Sequence, residues 1–189
     1  MIIVVSGLPR SGTSMMMRIL EKGGVPVLTD NIRKADKDNL KGYYEFEKVK
    51  QLEEDTSWLN SAEDKAVKII SALLKHLPPE HKYKVIFMER DIDEILASQK
   101  KMMERRGKEE DKVPDEVMAR LFEKHLKEIK EWLSDNSIET LYVNYNDVLD
   151  EPLPHLRKIN EFLSKDLDIE NMVGVVDPDL YRQRGDQLP

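Results

Sequence analysis

The sequence contains no cysteine in its 189 residues. This absence excludes disulfide bonds, zinc sites with thiolate ligands and a cysteine nucleophile. The pattern also shows no cluster of residues with metal-ligand spacing, so we expect no bound metal.

Long hydrophobic runs are also missing, and positively charged residues are fewer than negatively charged ones. The apolar run at Ile2–Val5 is short and has no basic segment before it, so it does not read as a signal peptide. No stretch reaches the roughly 20 residues that a membrane-spanning helix needs, and we expect a cytoplasmic protein without a membrane anchor. Lys and Arg number 30 against 37 Asp and Glu, and this net charge of −7 argues against binding to nucleic acid or to an anionic membrane.

Predicted strands alternate with predicted helices along the chain. Apolar, β-branched segments between turn signals predict strands at residues 2–5, 66–70, 84–88 and 138–143. Amphipathic spacing predicts helices at residues 15–22, 91–103, 114–133 and 153–163, with shorter helical segments ending near Asp55 and covering 71–77. This alternation implies parallel strands with right-handed crossovers. We therefore predict an α/β fold, with a central parallel sheet flanked by helices, in a single domain over residues 1–189.

The most informative segment is the glycine-bounded loop after the first predicted strand. It reads Ser6-Gly7-Leu8-Pro9-Arg10-Ser11-Gly12-Thr13-Ser14 and leads into a run of helix formers. A strand, such a loop and a helix together hold phosphate or sulfate in backbone N–H groups at the helix N-terminus. The spacing is close to the nucleotide-binding motif G-x-x-x-x-G-K-[ST], but Thr13 replaces the lysine. Because Arg10 is the only fixed positive charge of the loop, the loop suits a different anion.

This loop resembles the 5′-phosphosulfate-binding loop of the P-loop sulfotransferases, which usually reads P-[KR]-S-G-T-[ST]. Those enzymes transfer a sulfuryl group from 3′-phosphoadenosine 5′-phosphosulfate (PAPS) to an acceptor, and the product is 3′-phosphoadenosine 5′-phosphate (PAP). The resemblance implies a three-layer P-loop fold and metal-free, in-line transfer, in which Arg10 stabilises the leaving 5′-phosphate. The cofactor-binding residues that it implies in this loop are Pro9, Arg10, Ser11, Gly12, Thr13 and Ser14.

A second motif follows the predicted strand at residues 84–88. Asp91 reads as the N-cap of the next helix, with Glu94 completing a capping box. Ligands of open α/β sheets bind outside the carboxyl ends of the strands, and an arginine there binds phosphate bidentately. In the sulfotransferases, an arginine at such a strand end and a serine eight residues later hold the 3′-phosphate, and Arg90 and Ser98 match that spacing. The alternative is a surface ion pair and an ordinary helix serine.

Other segments extend the resemblance over most of the chain. Gly42–Phe46 is similar to a segment of many bacterial sulfotransferases. Tyr145 matches a tyrosine that lies near the adenine in the family, while Asn146 replaces the usual glutamate of that motif. Arg184 and Gly185 resemble a C-terminal Arg-Lys-Gly that touches the 3′-phosphate in several animal members, with a solvated basic tail as the alternative.

The acceptor needs a general base. Many cytosolic members of the family use a histidine after a Lys-Thr dipeptide at the end of the second strand; here Lys68 matches the lysine, and Ile70 occupies the histidine position. Other members use a glutamate, so the resemblance makes Glu45 the candidate base and Lys68 a second cation at the sulfuryl group. A surface carboxylate and a strand-edge lysine are the alternatives. The histidines are expected at the surface, away from the strand ends: His76, His81, His125 and His155.

Three functions fit these residues. The first is a PAPS-dependent sulfotransferase that acts on a small-molecule or glycan acceptor through a hydroxyl or amine. The second is a nucleotide phosphotransferase using ATP and Mg²⁺, which Thr13 disfavours because it removes the loop lysine, although Asp91 could hold the metal. The third is a non-catalytic protein that binds PAP or another nucleotide, which the missing strand-end histidine keeps open. Trp58, Tyr43 and Tyr44 either line an acceptor pocket or pack in the core. The sequence names neither the acceptor nor the oligomeric state.

Overall fold

A computed structural model describes residues 1–30, 32, 42–105, 107 and 113–177. Its centre is a four-stranded parallel sheet with the strand order β2-β1-β3-β4. The strands are β1 (Ile2–Gly7), β2 (Ala66–Lys68), β3 (Tyr83–Glu89) and β4 (Glu139–Asn144). This finding confirms the predicted α/β class and the parallel sheet.

Helices connect the strands. The described α-helices are α1 (Thr13–Lys22), α2 (Ile92–Arg105), α3 (Asp115–Asp135), α4 (Tyr145–Asp150), α5 (Pro152–Leu163) and α6 (Ile169–Val173). Short 3₁₀ helices cover Glu47–Gln51, Ser57–Ala62 and Ser71–His76. No helix among the described residues is long and apolar enough to cross a lipid bilayer.

The two faces of the sheet carry two hydrophobic clusters. Ile3 and Val5 of β1 face α1, α5 and α6, whereas Ile2 and Val4 face α3 and the 3₁₀ helices. All six residues of β1 are buried, since a central strand covered on both faces needs apolar side chains in both directions. The helices therefore flank the sheet on both sides, as the resemblance implied.

The register of the sheet brings the strand ends to one edge. Val5 of β1 pairs with Lys68 at the end of β2, and Gly7 pairs with Met88 near the end of β3. β1 lies between β2 and β3, so the connection that follows β1 and the connection that follows β2 lead to opposite sides of β1. This change of direction opens a crevice above the carboxyl end of β1. The glycine-bounded loop lies at that point.

The structure differs from the predicted elements in three respects. β2 ends at Lys68 rather than residue 70, and Ile70 adopts an extended conformation outside the strand with 41% of its surface exposed. The segments near residues 47–55 and 71–77 form 3₁₀ rather than α-helical turns. A separate helix, α4, begins directly after β4 because the side chain of Asn144 caps it, accepting from the backbone N–H groups of Asn146 and Asp147 at 2.8 and 3.3 Å.

Candidate functional site

The loop between β1 and α1 is shaped for an anion. Its last residue, Gly12, is the N-cap of α1 with a φ of 95°, and no side chain of the described residues caps this helix end. The first turn of α1 contains no acidic residue that would compete with a bound anion. The N-terminal N–H groups of α1 therefore point toward the crevice without a side-chain partner in the described part of the chain.

Two close approaches explain the loop's glycines. A Cβ atom on Gly12 would lie 2.3 Å from the Cδ2 atom of Tyr145, the first residue of α4. A Cβ atom on Gly7 would lie 2.6 Å from the carbonyl oxygen of Met88 in β3. The loop is thus packed directly against two neighbouring elements, and a side chain at either position would push it away.

Arg90 reaches back from the end of β3 to this loop. Its Nη1 atom donates to the carbonyl oxygen of Arg10 at 3.0 Å, and its guanidinium carbon lies 4.7 Å from the centre of the Tyr145 ring. The side chain is 7% exposed. A guanidinium over an aromatic face and against a carbonyl is held in one orientation.

Arg10 and Ser98 are also in direct contact. The Nε atom of Arg10 donates to the hydroxyl oxygen of Ser98 at 2.9 Å, and Ser98 is buried within α2. The structure therefore brings together the predicted site residues Arg10, Gly12, Arg90, Ser98 and Tyr145. Burial raises the pKa of the Tyr145 phenol, while the nearby Arg90 guanidinium lowers it, so the ring is neutral at physiological pH.

The remaining loop residues sit at different depths. Pro9 is exposed at the tip, and Thr13 and Ser14 are half-buried in the first turn of α1. Ser11 is 1% exposed, and its hydroxyl has no hydrogen-bond partner among the described residues. A buried hydroxyl of this kind is a donor available to a bound anion. Arg184 and Gly185 lie outside the described residues.

A second group of predicted residues lies at the end of β2. The Nζ atom of Lys68 donates to the carbonyl oxygen of Tyr43 at 2.5 Å, and the hydroxyl of Ser14 donates to the same oxygen at 3.2 Å. Lys68 also lies 3.6 Å from the carboxylate of Glu45, and both side chains are largely buried. Through Tyr43, the structure links Lys68 and Glu45 to the first turn of α1.

The backbone of Glu45 is fixed by the segment after α1. Its carbonyl oxygen accepts from the hydroxyl of Thr29 at 2.9 Å and from the backbone N–H of Asp30 at 3.2 Å. Tyr43 and Trp58 are 5% and 3% exposed, and Trp58 packs edge-on against Phe46 with ring centres 5.4 Å apart. Tyr43 and Trp58 therefore belong to the buried core. Tyr44 is only partly buried, and its hydroxyl donates to the carboxylate of Glu21 at 2.5 Å.

One histidine prediction was wrong. His125 was expected at the surface away from the strand ends, but its Nε2 atom lies 2.9 Å from the hydroxyl of Ser71, three residues after the end of β2. Partial burial lowers the pKa of His125, and the nearby Lys75 adds to this, while Glu128 opposes it. No local pattern indicates this contact, because Ser71 and His125 are 54 positions apart.

Sequence reasoning also missed the partners of Glu94. Asp91 caps α2 as predicted, its carboxylate accepting from the backbone N–H groups of Asp93 and Glu94 at 2.9 and 3.2 Å. The carboxylate of Glu94, however, accepts from Arg90 Nε at 2.8 Å and from Asn146 Nδ2 at 3.2 Å. Arg90 and Glu94 are four positions apart, but Arg90 precedes the cap of α2, so the i and i+4 rule for helices does not predict their contact.

A cleft of about 330 Å³ opens beside the loop, between the end of β3, α2 and α3. Leu8, Ser11 and Arg90 line it on the loop side, and Ala119, Glu123 and Leu126 line it on α3. No group of three or more His, Asp or Glu residues within the described ranges could hold a metal ion.

The sequence matches the model of a known protein family. The sequence model of the family described as "Sulfotransferase domain" matches residues 2–178. No curated protein sequence matches the chain.

The fold is similar to those of solved structures. The "Sulfotransferase Domain from the Synechococcus PCC 7002 Olefin Synthase" has a TM-score of 0.56 and 17% identity, over 100% of this chain and 88% of that chain. The "Sulfotransferase Domain from the Curacin Biosynthetic Pathway" has a TM-score of 0.52 and 15% identity, over 93% and 77%. A retinol dehydratase "in complex with androsterone and inactive cofactor PAP" has a TM-score of 0.51 and 15% identity, over 95% and 64%. At these identities the likeness shows the fold.

Proposed function

The chain belongs to the sulfotransferase domain family, and from that premise we propose that it transfers a sulfuryl group from PAPS to a hydroxyl or amine acceptor. The acceptor is a small molecule or a glycan. PAPS, when bound, supplies an activated sulfuryl group whose leaving group is a phosphate. The remaining chemistry is alignment and electrostatic stabilisation, which side chains and backbone N–H groups can provide without a metal.

The observation that carries this proposal is the contact network between the loop and the end of β3. Two arginines and one serine, Arg10, Arg90 and Ser98, are joined by hydrogen bonds of 2.9 and 3.0 Å. Two phosphate-binding positions at one crevice, one on the loop and one on the next strand, suit a ligand with phosphates at both ends of one nucleoside. A ligand with a single phosphate chain would need only the loop.

The 5′ end of PAPS is assigned to the loop. In our proposal the backbone N–H groups of residues 12–14 bind the 5′-phosphate, together with the hydroxyls of Ser11 and Thr13. The N–H of Ser11 donates to the carbonyl oxygen of Leu8, and the hydroxyl of Ser14 donates to that of Tyr43, so each of them binds the phosphate only by exchanging that partner. Arg10 offsets the charge that develops on the leaving phosphate oxygen. Pro9 restricts the backbone of the loop because its φ angle is fixed.

The 3′-phosphate is assigned to Arg90 and Ser98, and the adenine to the side of Tyr145. Arg90 suits this position because its planar guanidinium can donate to two phosphate oxygens at once. Arg184 and Gly185 complete this assignment at the C-terminal side, as the family resemblance implies.

Glu45 is assigned as the general base, and Lys68 as the cation nearest the sulfuryl oxygens. The acceptor proton moves to a carboxylate oxygen of Glu45 as the acceptor attacks sulfur. The Nζ atom of Lys68 lies 3.6 Å from this carboxylate and helps to hold it beside the end of β2. This separation is longer than a charge-assisted hydrogen bond, so Lys68 can also interact with the sulfuryl group.

Calorimetric titration with PAP tests the cofactor assignment. We expect the wild-type protein to bind PAP without metal and to bind ATP with Mg²⁺ much more weakly, and Arg90→Ala to weaken PAP binding by at least about tenfold. Binding of ATP that needs Mg²⁺, with no binding of PAP, would favour a phosphotransferase. Binding of PAPS without turnover over a broad panel of acceptors would favour a non-catalytic nucleotide-binding protein.

A further inference from the structure

Glu94 is a buried carboxylate in the middle of the proposed cofactor site. It is 2% exposed, and its two oxygens accept from two different elements. Oε2 accepts from the Nε atom of Arg90 at 2.8 Å, and Oε1 accepts from the Nδ2 atom of Asn146 in α4 at 3.2 Å. An ionised carboxylate suits these two donors because both of its oxygens are acceptors.

These contacts fix one edge of the Arg90 guanidinium. The Nε edge lies against Glu94, the Nη1 atom donates to Arg10, and one face lies over the Tyr145 ring. A long arginine side chain without such supports samples many rotamers, and ordering it on binding would oppose ligand affinity. Asn146 in turn holds the second oxygen of Glu94, so the support extends from α2 to α4.

We propose that Glu94 is a positioning residue that holds Arg90 in the orientation in which it binds the 3′-phosphate of the cofactor. This inference rests on the proposed function, since it needs a ligand with a phosphate at that end. Glu94 itself does not bind the ligand. It acts through Arg90, and Asn146 acts through Glu94.

A second effect of Glu94 has the opposite sign. Its negative charge lies beside the place assigned to a phosphate, and like charges repel. If repulsion were the larger effect, removing the charge would strengthen binding of the 3′-phosphate. If positioning is the larger effect, removing the side chain weakens binding, while an uncharged side chain of the same shape that still accepts from Arg90 preserves most of it. Glu94→Ala and Glu94→Gln therefore separate the two effects.

The test uses PAP and AMP, which differ only in the 3′-phosphate. The ratio of the dissociation constants of AMP and PAP measures what the 3′-phosphate contributes, and calorimetry on the full chain gives both values. We expect Glu94→Ala to lower this ratio by about tenfold and Glu94→Gln, which keeps the acceptor for Arg90 but loses the acceptor for Asn146, to lower it by only about threefold. The matched control, Glu104→Ala at the exposed end of the same helix, leaves the ratio unchanged.

Removing Glu94 leaves the buried Arg90 without its carboxylate, and the Ala variant loses stability for that reason. Asn146→Ala is the second variant, because it frees one oxygen of Glu94 without removing the ion pair. We expect it to lower the ratio by about threefold. Thermal unfolding of each variant identifies the fraction that is folded in the titration.

The outcomes are distinguishable from failure of the proposed function. If the wild-type protein does not prefer PAP over AMP, the cofactor assignment fails, and this inference fails with it. If wild type prefers PAP and folded Glu94→Ala and Asn146→Ala keep the same ratio, only the positioning role is overturned. A ratio that rises in both Glu94 variants would show that repulsion dominates and would also overturn it.

Discussion

The Nε atom of Arg10 donates to the hydroxyl oxygen of Ser98 at 2.9 Å, although 88 positions separate the two residues in the sequence. Arg10 belongs to the loop assigned to the 5′ end of the cofactor, and Ser98 to the residues assigned to its 3′-phosphate. Arg90 joins the same two regions by donating to the carbonyl oxygen of Arg10. The two assigned ends of the site thus form one hydrogen-bonded unit in the structure.

The backbone of Arg10 is strained. Substitutions of Arg10 by glycine and by alanine should therefore differ in stability while both lose the side chain that binds the cofactor. Its φ angle is 76°, in the left-handed region that glycine tolerates best. We expect Arg10→Gly to have a free energy of unfolding about 0.5–1 kcal/mol higher than Arg10→Ala, because glycine relieves this strain. Both variants should lose at least about tenfold in PAP affinity. Urea denaturation and calorimetry measure the two quantities, and equal stability of the two variants would contradict the strain.

Gly12 should be far less tolerant of a side chain than Gly24. Both have positive φ angles, 95° and 98°, but a Cβ on Gly24 meets nothing within 4 Å, whereas one on Gly12 lies 2.3 Å from the Tyr145 ring. Gly24→Ala therefore reports the φ strain alone, which we expect to lower the free energy of unfolding by about 1 kcal/mol. Gly12→Ala should lower it by about 2 kcal/mol more, because the ring must move. Denaturant unfolding of the pair checks this, and similar losses would show that Tyr145 yields easily.

Part of this arrangement follows from the sequence by local rules. The pattern from Ile2 to Ser14 predicts a strand, an anion-binding loop and a helix, and the parallel topology requires that Arg90 end its strand at the same edge. These two rules are enough to expect Arg10 and Arg90 in one crevice. The family resemblance supplied the chemical interpretation.

Contacts that depend on how separate elements pack could not be predicted. The Ser71–His125 contact joins the end of β2 to α3, and neither residue lies in a periodic or capping pattern that indicates the other. From the sequence, Glu94 is explained by its place in a capping box. Only the structure, which brings α4 close to α2, shows that its carboxylate accepts a hydrogen bond from Asn146. β2 ends at Lys68, two residues before the predicted end, and Ile70 is already the N-cap of the following 3₁₀ helix. The apolar run from residue 66 to residue 70 does not show where the strand stops.

Glu45→Gln should reduce turnover without reducing cofactor affinity. The amide keeps the size of the side chain but cannot take up a proton, so we expect the kcat of sulfuryl transfer to fall by about a hundredfold. The dissociation constant for PAP should change by less than about twofold. Glu47→Gln is the matched control, since Glu47 is two residues away and its carboxylate pairs with Lys50 at 2.8 Å. A Glu45→Gln variant with wild-type kcat would eliminate Glu45 as the base.

The contact between His125 and Ser71 should make stability depend on pH. Burial lowers the pKa of His125 below its ordinary value of 6.5, so the unfolded chain takes up this proton more readily than the folded protein. The contribution of His125 to stability is therefore complete above pH 6.5 and is lost as the pH falls toward the lowered value.

Because the ring of His125 is only partly buried, we expect this loss of stability to be less than about 1 kcal/mol. Unfolding free energies of wild type and His125→Gln, measured from about pH 7.5 to 5.5, should converge as the pH falls. Parallel curves for wild type and His125→Gln would show that His125 takes up its proton equally in both states.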